Sequence, residues 1–194
     1  DNRGRILTEM SVMAWSEEEV GLITAATAQW HDMEILTRQA PEGITITDNT
    51  KEMECLLVTG PNARKILEPI TEGHDLSASW LSISMEGTVA GHKCALARVS
   101  FAGELGWEIH CANDAAPAIW DAITGAGAKP FGMWALNSLR IEKGYRAWKG
   151  DLSTDYSLLE GGLDRFVKLD KEVDFPGKAA MLAEKQQGVA KRFV

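Results

Sequence analysis

Ile6, Met10, Val12 and Ala14 fall at even positions among polar neighbours. That two-residue period predicts a half-buried strand over residues 6–15. The acidic run Glu17-Glu18-Glu19 then turns the chain into a second short strand, residues 20–26. After it the period changes. Trp30, Met33 and Leu36 recur every third residue, and Thr27 can cap a helix running to about Gln39, ended by Pro41 and Gly43. Runs rich in β-branched residues predict strands at 44–47 and 55–59. Gly60-Pro61 opens a helix with proline in its first turn and Ala63, Ile66, Leu67 and Ile70 on one face.

Strands follow at 81–85 and 93–101, separated by glycine turns, and residues 102–106 turn the chain into a strand at 107–112. Asn113 or Asp114 caps a helix ending near Gly125, a second helix at 131–143 stops at Gly144, and Pro176 starts a last one reaching Gln187. Strands and helices alternate irregularly and hairpins are present. The expected class is therefore α+β, with mixed or antiparallel sheets and packed helices, rather than a doubly wound parallel sheet. A division into lobes 1–55 and 56–188 is compatible with the pattern.

Composition narrows the function. Of 194 residues, 45% are hydrophobic and 25% charged, which excludes a disordered chain and a coiled coil. A chain of this length buries about 70% of its unfolded surface and needs no staples. A net charge of −8 makes it a poor non-specific partner for nucleic acid or an anionic membrane, so neither is expected. Cys55, Cys94 and Cys111 are odd in number and lack CxxC spacing. They read as reduced thiols of an intracellular compartment, or simply as small buried apolar groups. The polar start, Asp1-Asn2-Arg3-Gly4, and the strand-like end, Lys191-Arg192-Phe193-Val194, suggest a piece of something longer.

Motifs for phosphate loops, dinucleotide folds and nucleophile elbows are missing. His31, His74, His92 and His110 lack ligand spacing, so no metal site is expected. Three charged residues in apolar surroundings remain: Glu9 on the first strand, Glu108 beside Trp107, and Arg140 between Leu139 and Ile141. Each has a plain structural reading beside a functional one. Glu108 can be the solvated position of an alternating strand, Arg140 can extend its head from a half-buried helix face, and Glu9 can guard a sheet edge.

A longer pattern joins these residues. Arg98 on a strand is followed by Phe101-Ala102-Gly103-Glu104-Leu105-Gly106-Trp107-Glu108. Then come Ser138-Leu139-Arg140-Ile141-Glu142-Lys143-Gly144-Tyr145, Trp148, Asp151-Leu152, Leu159-Glu160-Gly161-Gly162-Leu163, and Phe175-Pro176-Gly177-Lys178. In this order and spacing they resemble the folate-binding aminomethyltransferase family, the glycine-cleavage T-protein superfamily. Upstream, Gly60-Pro61-Asn62-Ala63 and the opening strand Ile6-Leu7-Thr8-Glu9-Met10 resemble the family's corresponding turn and strand. Trp30-His31-Asp32, Pro41 and the run Glu142-Lys143-Gly144-Tyr145-Arg146 are most similar to the folate domains of dimethylglycine and sarcosine dehydrogenases.

The resemblance implies the aminomethyltransferase folate-binding fold, incomplete at both ends, with the chain as its central piece. It implies that the domain binds tetrahydrofolate and accepts a one-carbon unit from an amine-derived donor, giving 5,10-methylenetetrahydrofolate. An FAD-dependent amine-oxidising module is expected in cis, in the rest of a longer protein, and the isolated piece is expected to be catalytically silent. Related chemistries are a folate-dependent demethylase or methyltransferase and a non-catalytic folate-binding domain. By the same resemblance, Glu9 stands at the catalytic carboxylate position, where the family has the shorter Asp. Glu108 stands at the pterin-recognising position, and Arg140, Phe101, Trp107 and Trp148 line the folate site, with Phe101 in place of the family's usual Tyr. The compartment implied is the cytoplasm, or the mitochondrial matrix for a eukaryotic source.

Overall fold

A computed structural model describes residues 1–194. Its elements run β1 (Met10–Ala14), β2 (Val20–Thr24), α1 (Gln29–Gln39), β3 (Met53–Thr59), α2 (Ala63–Leu67), β4 (Thr71–Glu72) and β5 (Ile83–Ser84). There follow β6 (Thr88–Val89), β7 (His92–Ala97), β8 (Gly106–Ala112), α3 (Ala116–Gly125), α4 (Met133–Lys143) and α5 (Lys178–Gln187). Strands β1 and β2 form a two-stranded sheet. The larger sheet has the order β3-β8-β7-β6-β4, with β5 also on β7, and each of its ladders is antiparallel. This is the α+β class expected from the sequence. No helix is long and apolar enough to cross a membrane.

The chain forms two compact units. A terminal unit comprises residues 1–11, 23–34 and 146–194, and a central unit comprises 12–22 and 35–145. The division into lobes 1–55 and 56–188 is thus corrected: the start of the chain folds with its end. Arg5 bridges Ser157, the Ile6 N–H donates to the Tyr156 carbonyl, and Ile6, Ala28, Trp148 and Leu152 share one apolar cluster. The Ser157 partner of Arg5 and the Tyr156 partner of Ile6 lie about 150 residues downstream, a pairing that local periodicity cannot reveal.

In the central unit one face of the sheet carries Leu56 and Val58 of β3, Cys94 and Leu96 of β7, and Trp107, Ile109 and Cys111 of β8. These pack with Ala63 and Leu67 of α2 and Ile119 and Ile123 of α3. Full burial of an aliphatic side chain such as Leu67 or Ile109 contributes about 1.5–3 kcal/mol, so this cluster holds the sheet flat against its helices.

Several expected boundaries move for local reasons. The strand expected at 93–101 stops at Ala97, where the Val99 N–H bonds back to the Ala97 carbonyl. Residues 44–47 join no strand, because no partner ladder forms there. The first strand begins at Met10 and buries Met13 instead of Val12, one residue out of the expected register and hence on the opposite face. Asn113 does not cap α3, because its side-chain N–H₂ donates to the Lys51 carbonyl. In α1 the expected apolar stripe fails at Trp30, which is 75% exposed, while the buried residue is Asp32.

Candidate functional site

In the terminal unit, Glu9 lies just ahead of β1 and Asp32 in the first turn of α1. Asp32 is 1% exposed. Its Oδ2 accepts a hydrogen bond from Thr24 Oγ1 at 2.5 Å, and its buried Oδ1 makes none. A buried carboxylate oxygen without a donor is costly and tends to be retained for a reason. Glu9 keeps contact with solvent, yet partial desolvation by its surroundings, and secondarily the Asp32 charge, raise its pKa above the ordinary glutamate value. Next to Asp32 in the chain, His31 donates from Nε2 to the Leu7 carbonyl at 2.8 Å, and its ring stacks on Trp148 with centroids 6.0 Å apart. The terminal unit therefore brings Glu9, Asp32, His31 and Trp148 into one neighbourhood, with Trp148 itself buried.

In the central unit the alternation of β8 decides what Glu108 meets. Trp107, Ile109 and Cys111 face the core, so Glu108 and His110 face the other side of the sheet. The sequence suggests Glu108 in an apolar pocket beside Trp107, but adjacent strand residues cannot share a face. Trp107, 1% exposed, is a core residue, with the Arg98 and Arg64 guanidinium carbons 4.7 and 5.8 Å from its ring centroid. Glu108 instead sits between Leu57 on β3 and Ala97 on β7. One pair along, His110 sits between Cys55 and Ala95. His110 Nε2 lies 3.3 Å from Glu108 Oε2, and the Cys55 sulfur, a Glu108 carboxylate oxygen and a His110 ring nitrogen all lie within 4.8 Å of one another. Cys55 is exposed at the edge of the sheet; partial desolvation by its surroundings first, then the Glu108 charge, push its thiol up to about 12.

Phe101 occupies the turn after β7 rather than a strand. Gly103 has φ +75°, and a Cβ there would fall 2.3 Å from Lys143 Cγ. Glycine is what lets the turn settle against the last turn of α4. Here Phe101 stacks on Tyr145, centroids 6.2 Å apart and planes 12° from parallel, and the Arg140 guanidinium carbon lies 6.0 Å from the Phe101 ring. Arg140 is 6% exposed. It donates from Nε to Asn137 Oδ1 and from Nη1 to the Tyr145 carbonyl, each at 2.8 Å. Gly144, with φ +78°, ends α4, and the Tyr145 N–H closes the cap on the Arg140 carbonyl. The cation thus sits at the helix end where the backbone dipole favours positive charge.

Residues 1–171 match the GCVT N-terminal domain family. The chain belongs to this family. It is 36% identical to human mitochondrial dimethylglycine dehydrogenase over 99% of this chain and 23% of that protein. It is 32% identical to an aminomethyltransferase of Listeria innocua over 98% of this chain and 53% of the other. The crystal structure of glycine cleavage system aminomethyltransferase T from Bartonella henselae shares the fold, with a TM-score of 0.81 at 23% identity over 97% of this chain and 51% of that one. The GCVT chain therefore spans about half the length of these aminomethyltransferases and about a quarter of the dehydrogenase.

Within this GCVT domain, four residues carry no signal in the sequence: Asp32, which acts on Glu9, with Thr24 bonded to it, and Cys55 and His110 beside Glu108. The spacing of the first pair, eight residues across a strand end and a helix start, carries no signature. The second pair is set by the β3–β8 register, with Cys55 directly opposite His110 although 55 positions separate them.

Proposed function

We propose that this GCVT-family chain binds tetrahydrofolate and takes up a one-carbon unit from an amine donor such as dimethylglycine or sarcosine, yielding 5,10-methylenetetrahydrofolate. In this reading it is the folate domain of a longer FAD-dependent amine dehydrogenase, and the FAD module in cis delivers the carbon. The kinship with dimethylglycine dehydrogenase, a mitochondrial protein in human, rat and mouse, supports this over a free-standing transferase.

The observation that carries the reading is the placement of Glu108. It is a half-buried carboxylate on a sheet face whose cross-strand neighbours, Leu57 and Ala97, are apolar and offer it no hydrogen-bond donor from their side chains. A reduced pterin carries N–H donors along one edge, and a carboxylate accepts two such donors at once in a short, directional pair. Tetrahydrofolate, once bound, supplies the nitrogen nucleophiles that take up the carbon. The chain's own residues hold and orient it. Glu108 accepts the N–H edge, Arg140 and Phe101 offer a cation and an aromatic face, and Trp107 stiffens β8 from the core side. In the terminal unit, Glu9 is the candidate acid–base carboxylate, its raised pKa suiting a group that must both hold and release a proton. Trp148 buttresses that group through His31.

Calorimetric titration of the protein with tetrahydrofolate in chelator-treated buffer tests the assignment. Hydrogen bonds to a charged acceptor are worth roughly 1.5–3 kcal/mol, so Glu108→Gln and Glu108→Ala should each weaken binding at least about tenfold. Phe101→Tyr should bind equally or more tightly. Unchanged affinity in Glu108→Gln would show that Glu108 is not the pterin acceptor.

A further inference from the structure

The face of β3 and β8 turned away from the core holds more than a carboxylate. Cys55, Glu108 and His110 offer a sulfur, an oxygen and a nitrogen donor, all within 4.8 Å of one another. The register makes this arrangement rigid: Cys55 is directly opposite His110, and Glu108 precedes His110 by two residues on the same face. His110 is 6% exposed, and its Nε2 is buried without a hydrogen bond, although Glu108 Oε2 lies only 3.3 Å away. A buried imidazole nitrogen beside a carboxylate, with a thiol close by, is a donor set of the kind that holds a cation. On β7 the flanking residues are Ala95 and Ala97, whose small side chains bring no competing polar group to the three donors.

We propose that Cys55, Glu108 and His110 form a binding site for a borderline divalent cation, Zn²⁺ foremost, with one coordination position left open. The donor set selects the ion. Thiolate and imidazole favour zinc over magnesium or calcium, and three protein ligands of mixed S, N and O type leave tetrahedral zinc a fourth place for water or an incoming group. With zinc–ligand bonds of about 2.0–2.3 Å, tetrahedral donors stand roughly 3.3–3.7 Å apart, so closing around the ion needs side-chain shifts of about an ångström and no movement of the strands. On binding, zinc replaces the proton on the Cys55 sulfur, and that proton passes to the solvent. Because Glu108 cannot serve the ion and a pterin with the same oxygens, the site also provides a means by which zinc would oppose a ligand at Glu108.

The test uses Co²⁺ as a spectroscopic substitute for Zn²⁺, titrated into chelator-treated protein without folate. Metal binding is then measured whether or not the folate reading holds. The expected result is one equivalent bound, with a thiolate-to-cobalt charge-transfer band in the near ultraviolet that Zn²⁺ abolishes by displacement. Cys55→Ser should lose the band. His110→Gln and Glu108→Gln should weaken binding by more than the roughly 10- to 100-fold that even an outer partner of a metal ligand costs. Cys94→Ser and Cys111→Ser should keep the band, since both side chains face the core. Circular dichroism on each variant establishes that it is folded, and Cys55→Ala replaces Cys55→Ser should the latter not be. A parent protein without the band, or a folded Cys55 variant that retains it, would overturn the assignment.

Discussion

Replacing Asp32 with asparagine should make the protein more stable. The carboxylate is 1% exposed, takes one hydrogen bond from Thr24, leaves Oδ1 buried without a donor, and disfavours a second charge on Glu9. Asparagine keeps the shape and an acceptor for Thr24 Oγ1 while removing the charge. The retained hydrogen bond drops from the charged class, about 1.5–3 kcal/mol, to the neutral one, about 0.5–1.5 kcal/mol, a loss near 1 kcal/mol. The amide N–H₂ left without an acceptor costs roughly 1–3 kcal/mol. Removing a buried charge returns several kcal/mol of desolvation. The balance is a gain of about 1 kcal/mol, which for a chain of this size raises the melting midpoint by about 2–4 °C. Urea unfolding at pH 7 measures it directly. A companion cycle separates the terms: Thr24→Val should destabilise the parent by about 1.5–3 kcal/mol and the Asp32→Asn background by clearly less. If Asp32→Asn is less stable than the parent, or Thr24→Val costs the same in both backgrounds, the carboxylate is held by donors other than Thr24 and the reasoning fails.

Two further outcomes follow from the same geometry. Because the pKa of Glu9 is raised in the folded state, the native protein binds its proton more tightly than the unfolded chain does, so stability falls as pH climbs from 4.5 through the raised value. Glu9→Gln should therefore flatten that fall and leave stability well below pH 4.5 unchanged, as read by unfolding midpoints across the acid range. Gly103→Ala should cost about 1–3 kcal/mol in the same assay, since it sets a side chain at φ +75° and pushes its Cβ into Lys143.

Much of the architecture was legible because it is local. The strands 55–59 and 107–112 stand nearly where β-branched composition and the glycine turn put them, and Gly144 ends α4 as its position implies. What escaped is set by long-range partners. Ile6 carries the period of a strand, but its N–H is claimed by Tyr156, so β1 begins four residues later. Met13 and Val12 exchange faces because burial of one neighbour, not the count of apolar residues, fixes the register. The candidate carboxylates show the same limit. Glu9 and Glu108 stood out as charges among apolar residues, whereas Asp32, Cys55 and His110 gain meaning only when folding sets them beside the other two. Trp107, by contrast, is next to Glu108 in the chain and on the opposite face in space.

The terminal unit is stitched from three separated stretches, 1–11, 23–34 and 146–194. Its bridge from Arg5 to Ser157 and the ion pair from Arg5 to Glu160 at 2.8 Å close a loop of roughly 150 residues. Closing so long a loop carries an entropic cost that grows only slowly with length, yet contacts of such separation slow folding. On the ribosome, the segment bearing Glu9 emerges long before residue 160, while strands β3 to β8 have all their sheet partners by residue 112. The sheet carrying Glu108 can thus be assembled while Glu9 still waits for its surroundings. A chain ending near residue 145 would have the sheet around Glu108 built and the surroundings of Glu9 unformed, leaving residues 1–11 and 23–34 without their later partners.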